Sequence, residues 1–231
     1  MFEIIRSETR GAANHGWLDA KHTFSFADYH DPERMGFGSL RVINEDRIEA
    51  GTGFDKHPHR NMEIVTYIIE GALEHKDSMG NGSVIRPGEL QRMTAGKGVF
   101  HSEFNPSEET THLLQIWILP EKTGLEPGYE QKLFPRDAKL GRWCLLGSRD
   151  GRDGSLTIHQ DIELSATIIE TGNSMDYQFA EGRRGFLQLV EGRLEIGDET
   201  LSSGDGVTIV DTGSITLTAS EETELLLFDM A

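Results

Sequence analysis

The sequence predicts an all-β protein, and three observations lead to this fold class. Glycine accounts for 26 of the 231 residues, about 11%, whereas about 7% is usual. The glycines lie between short apolar runs rich in valine, isoleucine and leucine. Helical periodicity is weak along the whole chain, and short β-rich segments separated by turn residues are typical of a β-sandwich or barrel.

Six apolar runs are candidate strands, and a polar segment in the middle of the chain is a candidate linker. Residues 120–141 hold three of the seven prolines, so we interpret them as a linker or crossing loop. Strands are expected at Ser39–Arg47, Met62–Ile69, Leu113–Leu119, Gly185–Val190, Val207–Val210 and Glu224–Phe228.

The two sides of this linker resemble each other, which indicates an internal duplication. Residues 69–74 read IEGALE, and residues 190–195 read VEGRLE, an offset of 121 residues. Gly88 and Gly96 correspond to Gly204 and Gly213 at offsets of 116 and 117, and a shorter loop in the second copy would explain the change. We expect two tandem β-domains, residues 1–130 and 131–231; chance matching of short turn motifs is the alternative.

Charge and composition exclude several classes of function. The formal net charge of −17 argues against direct binding of nucleic acid or of an anionic membrane surface. No apolar run reaches transmembrane length. The single cysteine, Cys144, excludes an internal disulfide and a cysteine-based zinc site. The first ten residues, MFEIIRSETR, lack the apolar segment of a secretory signal, so we expect a cytoplasmic monomer.

Two short motifs carry candidate metal-binding residues. His57 and His59 are two residues apart, as are His101 and Glu103, and residues with this spacing on a strand point to one face. If the two strands face each other inside a small barrel, they offer three imidazoles and one carboxylate. Such a set suits Fe(II), Mn, Ni, Cu or Zn and leaves positions open for substrate or oxygen.

The alternative for a lone His-x-His pair is a surface or hydrogen-bonded pair, and the matching His-x-Glu motif makes metal binding the better interpretation. The remaining histidines have no partner at such a spacing. We expect structural or surface roles for His15, His22, His30, His75, His112 and His159.

The chain resembles the pirins, which are two-domain members of the cupin superfamily. The resemblance covers essentially the whole chain, is strongest from Arg10 to Gly124, and is closer to bacterial pirins than to the nuclear eukaryotic ones. The residues that carry it are Arg10-Gly11, His15–Leu18, His22–Phe26, Phe37-Gly38, His57–Arg60, Glu70-Gly71, Asp77–Gly80, Met93–Gly96 and His101–Glu103.

This resemblance implies two tandem cupin domains, each a jelly-roll β-barrel, with one metal. The family's metal ligands fall on His57, His59, His101 and Glu103. The resemblance implies iron, with Zn, Mn, Ni, Cu or Co as alternatives, and an oxygenase that cleaves flavonols such as quercetin with O2. Because the family includes nuclear co-regulators, a metal-containing regulatory module that docks on a protein partner is the alternative function.

Two carboxylates compete for a role at this site. Glu63 matches the fourth ligand of the first cupin motif, but a straight strand would place it about 13 Å beyond His59. We therefore rank Glu103 first, both as ligand and as the catalytic base that deprotonates the flavonol 3-hydroxyl. In the second domain the repeat offsets lead to residues that are not strong metal ligands, so we expect a metal-free scaffold; they are Gln178, Ala180, Thr218 and Ser220.

Overall fold

The computed structural model describes residues 1–231, and nearly all of its regular structure is β-strand. The first half contains β1 (Phe2–Ile5), β2 (Gly11–Asn14), β3 (Leu18–His22), β4 (Leu40–Ile48), β5 (Gly53–His59), β6 (Glu63–Glu70), β7 (Leu73–Asp77), β8 (Gly82–Ile85), β9 (Glu89–Thr94), β10 (Val99–Phe104), β11 (Thr111–Ile118) and β12 (Gly128–Leu133).

The second half continues in the same style. It contains β13 (Cys144–Ser148), β14 (Leu156–Thr157), β15 (Ile162–Ile169), β16 (Ser174–Gln178), β17 (Arg184–Glu191), β18 (Arg193–Ile196), β19 (Glu199–Ser202), β20 (Gly206–Ile209), β21 (Ser214–Ala219) and β22 (Thr223–Met230). The helices are one short α-helix, α1 (Arg136–Lys139), and two 3-10 turns, Ser7–Thr9 and Arg152–Gly154. None of them has the length and hydropathy that a bilayer-crossing helix requires.

The chain forms two compact units. One contains Gly11–Phe134 and Leu156–Gln160, and the other contains Met1–Arg10, Pro135–Ser155 and Asp161–Ala231. The boundary expected after residue 130 falls inside β12, which pairs with β9 and so belongs to the first unit. The linker interpretation of 120–141 is wrong for β12 and α1. No apolar run marks β12, because it is an edge strand of largely polar composition.

The two units repeat one topology. In the first, a small sheet in the order β5-β10-β7-β8 accompanies a large sheet that contains β9-β6-β11-β4. In the second, the corresponding orders are β16-β21-β18-β19 and β20-β17-β22-β15. The predicted fold class, two tandem jelly-roll barrels, is confirmed. All six expected strands are present, with ends shifted by one or two residues.

The repeated Glu-Gly turn has the same steric cause in both copies. Gly71 and Gly192 have φ values of +78° and +93°, a backbone region that is open to glycine at little cost. A Cβ atom at these positions would lie 2.9 Å from the Cα of Thr111 and 2.8 Å from the Cα of Thr223, respectively. Each turn therefore requires glycine both for its positive φ and for the close approach of the neighbouring strand.

Two edge strands pair outside the repeat that they precede in the chain. Strand β1 precedes the first barrel in the chain but pairs with β20, with Phe2 opposite Ile209. Strand β12 precedes the second barrel but pairs with β9, with Gly128 opposite Thr94. Each unit thus receives an edge strand from the chain segment that leads into the other repeat.

A row of polar side chains crosses the large sheet of the first unit in register, and it consists of His22, Asn44, Gln115, Thr66, Gln91 and Gln131. Buried apolar residues flank it: Ile64 and Met93 belong to one cluster, and Ile68 and Leu113 to another. Because Gln115 donates a hydrogen bond to Glu103 on the small sheet, this row faces the barrel interior.

The second barrel has an apolar interior instead. Met175 and Tyr177 of β16 and Leu217 of β21 pack into its core cluster. Strand alternation then turns their neighbours away from the core, and Gln178 is exposed. The residues that the repeat offset led to, such as Gln178, therefore face outward. Loops of different length in the two repeats shift the structurally equivalent positions away from a constant offset.

We predict that Asp205 anchors the N-terminal segment in its unit. This buried carboxylate accepts hydrogen bonds from Arg6 Nη1 at 3.1 Å, Ser7 N at 2.8 Å and Ser202 N at 3.1 Å. Asp205→Ala should lower the free energy of unfolding by about 3 kcal/mol in urea titrations. The control Glu199→Ala removes an exposed partner of the same arginine and should cost under about 1 kcal/mol. Equal effects would contradict the anchor.

Candidate metal centre

Three histidines converge on neighbouring strands of the first barrel. His57 and His59 lie on β5, and His101 lies on β10 directly opposite His57. The ring centroids are 4.4 Å apart for His57 and His101, and 4.8 Å apart for the other two pairs. One ring nitrogen from each histidine lies within 4.8 Å of the others. The spacing of two residues thus points the first two rings to one face, as alternation requires.

Pro58 fits between the two histidines because β5 is an edge strand. The residue is exposed and lies on the face opposite the imidazoles. Proline has no N–H to donate, so it is tolerated on edge strands and not in the middle of a sheet. His-Pro-His is therefore compatible with a strand only at this edge.

Glu103 is buried, with 2% of its surface exposed, and the strand register shifts between His101 and Glu103. Gln115 Nε2 donates to one carboxylate oxygen at 2.8 Å, and the other oxygen has no partner in the protein. A carboxylate oxygen of Glu103 groups with ring nitrogens of His101 and His75 within 4.8 Å of one another. Glu103 therefore meets the histidine cluster through His101.

Burial sets the protonation states at this site. It lowers the pKa of His59 to about 4 and that of His101 to about 2, and the neighbouring histidines add to both shifts. Burial raises the pKa of Glu103 to about 7, although the hydrogen bond from Gln115 opposes this. The two imidazoles are therefore neutral at physiological pH, and each has a lone pair available to a cation.

The donor atoms fit a divalent metal ion. His59 Nε2, His101 Nε2 and Glu103 Oε1 are buried without a hydrogen-bond partner in the protein, an arrangement that costs free energy unless another group satisfies them. His57 Nδ1 donates to the carbonyl oxygen of Asp55 at 2.7 Å, which leaves the Nε2 lone pair free for a ligand. Three nitrogens and one carboxylate suit first-row divalent metals.

An aromatic-lined cavity of about 620 Å³ lies near this cluster, and none of His57, His59, His101 and Glu103 lines it. Phe54 lines the cavity, and its ring centroid is 6.3 Å from that of His57. Phe26 lines it as well and contacts Trp117 edge-on at 5.3 Å, and Trp117 contacts His59 at 4.9 Å. Three aromatic contacts, along two routes, therefore connect the cavity wall to the imidazoles.

Comparison with known families identifies the chain. The Pirin family profile matches residues 5–118, and a profile described as the quercetinase C-terminal cupin domain matches residues 145–230. A quercetin 2,3-dioxygenase of Escherichia coli strain K12 is 50% identical over 231 residues, which are 100% of this chain and 99% of that protein. The chain belongs to the pirin family. The resemblance inferred from the sequence is thereby confirmed.

Other pirins and solved structures agree. A pirin-like protein of Caulobacter vibrioides is 41% identical over 222 residues, 96% of each chain. The crystal structure of the bacterial pirin YhhW from Escherichia coli in complex with nickel(II) has a TM-score of 0.95 at 48% identity and covers 100% of this chain and 99% of that one. A quercetin 2,3-dioxygenase from Acinetobacter baumannii, at 21% identity and a TM-score of 0.78 over 95% and 83% of the chains, shows the fold alone.

Glu63 lies away from the histidine cluster of this pirin. It begins β6, and its neighbour Ile64 packs in the barrel interior, so Glu63 points to the opposite face of the sheet. There its Oε2 accepts hydrogen bonds from Thr94 Oγ1 at 3.1 Å and from the backbone N and Nδ1 of His159 at 3.3 and 3.2 Å. The structure thus gives Glu63 partners that are not part of the cluster.

Sequence reasoning missed two residues that contact the candidate ligands. His75 was expected to have a structural or surface role, but it is fully buried against His101, with ring centroids 5.2 Å apart. Gln115 holds Glu103 and stands as a single polar residue in the apolar run LLQIWIL. That interruption, and the His-x-Asp spacing of His75 and Asp77, were the available signals.

We predict that Glu63→Gln leaves metal binding intact. Because the side chain faces away from the imidazoles, the affinity for Ni²⁺ should stay within about twofold of the parent in calorimetric titrations. The free energy of unfolding should fall by about 1–2 kcal/mol, since an amide cannot accept all three hydrogen bonds. A loss of nickel affinity of tenfold or more would place Glu63 in the metal centre.

Proposed function

We propose that this pirin is a metal-dependent dioxygenase that cleaves flavonols such as quercetin with O2, and that His57, His59, His101 and Glu103 hold its metal ion. The observation that carries the proposal is the convergence of buried, unpartnered imidazole and carboxylate atoms beside an aromatic-lined cavity. The name of the relative that is 50% identical, quercetin 2,3-dioxygenase, supports the substrate class.

The metal is iron in this proposal, and when bound it supplies Lewis-acid chemistry and a template for substrate and O2. His59 and His101 contribute neutral nitrogen donors, because burial lowers their pKa values and keeps them unprotonated. His57 contributes the ring nitrogen that does not bond Asp55. Glu103 contributes the single negative charge of the ligand set. The burial of His101 and Glu103 gives these two donors a low-dielectric environment.

Glu103 is the proposed base for the flavonol 3-hydroxyl. A carboxylate beside a divalent cation stays ionised at neutral pH. Gln115 fixes Oε2 at 2.8 Å, so Oε1, which has no partner in the protein, would be the ligand atom at rest and would accept the proton once it has left the metal. The hydrogen bond from Gln115 thereby fixes the orientation of the base before the substrate enters.

The cavity suits a planar aromatic substrate. Its volume of about 620 Å³ lies within the range of about 300–1,000 Å³ that small-molecule sites occupy. Trp17 and Phe54 meet edge-on at 5.1 Å in its wall, and Tyr29 lines it as well. Aromatic faces and edges of this kind bind planar rings through stacking and apolar contact.

Oxygen consumption tests the function directly. The iron-loaded protein should take up O2 when quercetin is added and should release the cleaved product, as measured with an oxygen electrode and mass spectrometry. The reaction should stop under nitrogen and after chelation. Metal bound in full occupancy without any flavonol-dependent O2 uptake would refute the dioxygenase and favour a regulatory module that docks on a protein partner.

We predict that Glu103→Gln separates the two roles of the carboxylate. The amide keeps the size and a carbonyl oxygen but loses the charge and the basicity, so nickel binding should weaken about tenfold while flavonol turnover falls at least about 100-fold. Both are measured on the same preparation. Glu63→Gln is the matched control and should keep turnover. Normal turnover in both variants would exclude either carboxylate as the base.

We also predict one metal ion per chain. The second barrel presents apolar side chains where the first presents imidazoles, among them Met175, Tyr177 and Leu217. Elemental analysis of the purified protein should give one equivalent, and the double variant His57→Ala/His101→Ala should retain under about a tenth of it. Two equivalents, or metal that survives the double substitution, would show that the ligands lie elsewhere.

A further inference from the structure

A chain of buried hydrogen bonds leads from Asp77 through His75 to His101. His75 and Asp77 lie on β7, which pairs with β10, so that Asp77 is opposite His101 and His75 is opposite Glu103. Asp77 Oδ2 is 3.2 Å from His75 Nε2, and His75 Nδ1 is 3.4 Å from His101 Nδ1. The Nε2 atom of His101, at the end of this chain, is buried without a partner in the protein.

The carboxylate of Asp77 accepts every hydrogen bond in which it takes part. Its carboxylate receives the backbone N–H groups of Met79 and Asn81 at 2.9 and 3.0 Å and the side-chain amide of Asn81 at 2.8 Å. Burial raises the pKa of Asp77, but these bonds and the one from His75 outweigh it and hold the pKa below its usual value. An ionised carboxylate has no proton to give, so His75 Nε2 carries the proton and donates it.

The direction of the hydrogen bond from His75 to Asp77 determines which ring nitrogens of His75 and His101 carry protons. His75 is fully buried and its Nε2 donates to Asp77, so the neutral ring has its lone pair on Nδ1. His101 Nδ1 must therefore donate to His75 Nδ1, since two lone pairs at this distance would repel each other. A neutral His101 with its proton on Nδ1 has its own lone pair on Nε2.

We propose that Asp77 and His75 are positioning residues that hold His101 in the tautomer with Nε2 available for the metal. The inference rests on the proposed function, because it takes His101 as a metal ligand. Ring nitrogens of ligating histidines that are fixed by a hydrogen-bonded partner bind metal more tightly, because no energy is spent on changing tautomer or orientation.

Packing holds His75 in place from the other side. The ring of Tyr129 on β12 is 4.9 Å from the ring of His75 and tilted by 32°. The Tyr129 hydroxyl contacts Ser83 Oγ and donates to Gln131 Oε1 at 2.8 Å. The orientation of His75 is therefore set by two partners, a carboxylate on its own strand and an aromatic ring on β12.

His75→Phe is the first test variant, because it keeps a ring against Tyr129 and removes the acceptor for His101. Nitrogen-15 NMR of the metal-free parent should show His101 protonated on Nδ1, and the variant should show a mixture of tautomers. The affinity for Ni²⁺ should fall about 10- to 100-fold. The tautomer is read without metal, so this readout does not depend on activity.

His112→Phe is the matched control. His112 is also buried and also bonds a carboxylate, with Nε2 2.9 Å from Glu45 Oε1. Its neighbour on β11, Leu113, packs in the barrel interior, so His112 faces away from the ligand cluster. Its loss should lower stability in the same way but leave nickel affinity within about twofold.

Asp77→Asn is the second test variant, and it tests the same proposal if His75→Phe folds poorly. The amide has the shape of the carboxylate and can still accept the backbone bonds, but its NH2 group donates toward His75 Nε2. This should move the His75 proton to Nδ1 and take the acceptor away from His101. We expect a change of tautomer at His101 and a fall in nickel affinity of about tenfold.

The outcomes separate this inference from the proposed function. A metal-free parent with the His101 proton on Nε2 overturns the inference. If the parent binds nickel and both variants bind it equally well, only the inference fails. If the parent binds no nickel, the proposed function fails and the inference fails with it. A change of tautomer with weaker binding in both variants, and not in the control, supports it.

Discussion

The burial of imidazole and carboxylate atoms of His59, His101 and Glu103 without partners, inside the first barrel, is the constraint on which the rest of this structure depends. Such atoms are expensive to bury, and neighbours such as Gln115 and His75 hold their side chains in position. The sheet register provides this: a polar row that includes Gln115 crosses the barrel between two apolar clusters. The second barrel, which has the same strand order, fills its interior with apolar side chains such as Leu217.

The features that local spacing determines could be predicted from the sequence. Alternation along a strand is enough to bring His57 and His59 to one face, and the same rule relates His101 to Glu103. The Glu-Gly turns were recognisable because glycine is required at Gly71 for its backbone angle and for the close approach of a neighbouring strand. Each of these constraints depends on a few neighbouring residues, so it can be predicted without knowing which strands pair.

The features that depend on pairing between distant strands could not be predicted. His75 meets His101 only because β7 lies beside β10, and Glu63 faces away from the cluster only because Ile64 is the residue that enters the core. Strand β12 has no apolar pattern because its role is to complete a sheet edge. In each case the sequence contains the residue type, while its partner is set by register, which a single sequence does not reveal.

The exchanged edge strands have a consequence for how the chain matures during synthesis. Strand β1 leaves the ribosome first, but its partner β20 is made about 200 residues later. The first barrel also lacks one contact at first, because His159, which bonds Glu63, is made after β2–β12. The first unit is complete once Leu156–Gln160 has been made, whereas the sheet edge of the second unit forms only after β20 has been made near the end of synthesis. A nascent chain of this kind exposes unpaired edges for most of its elongation and depends on late, long-range pairing.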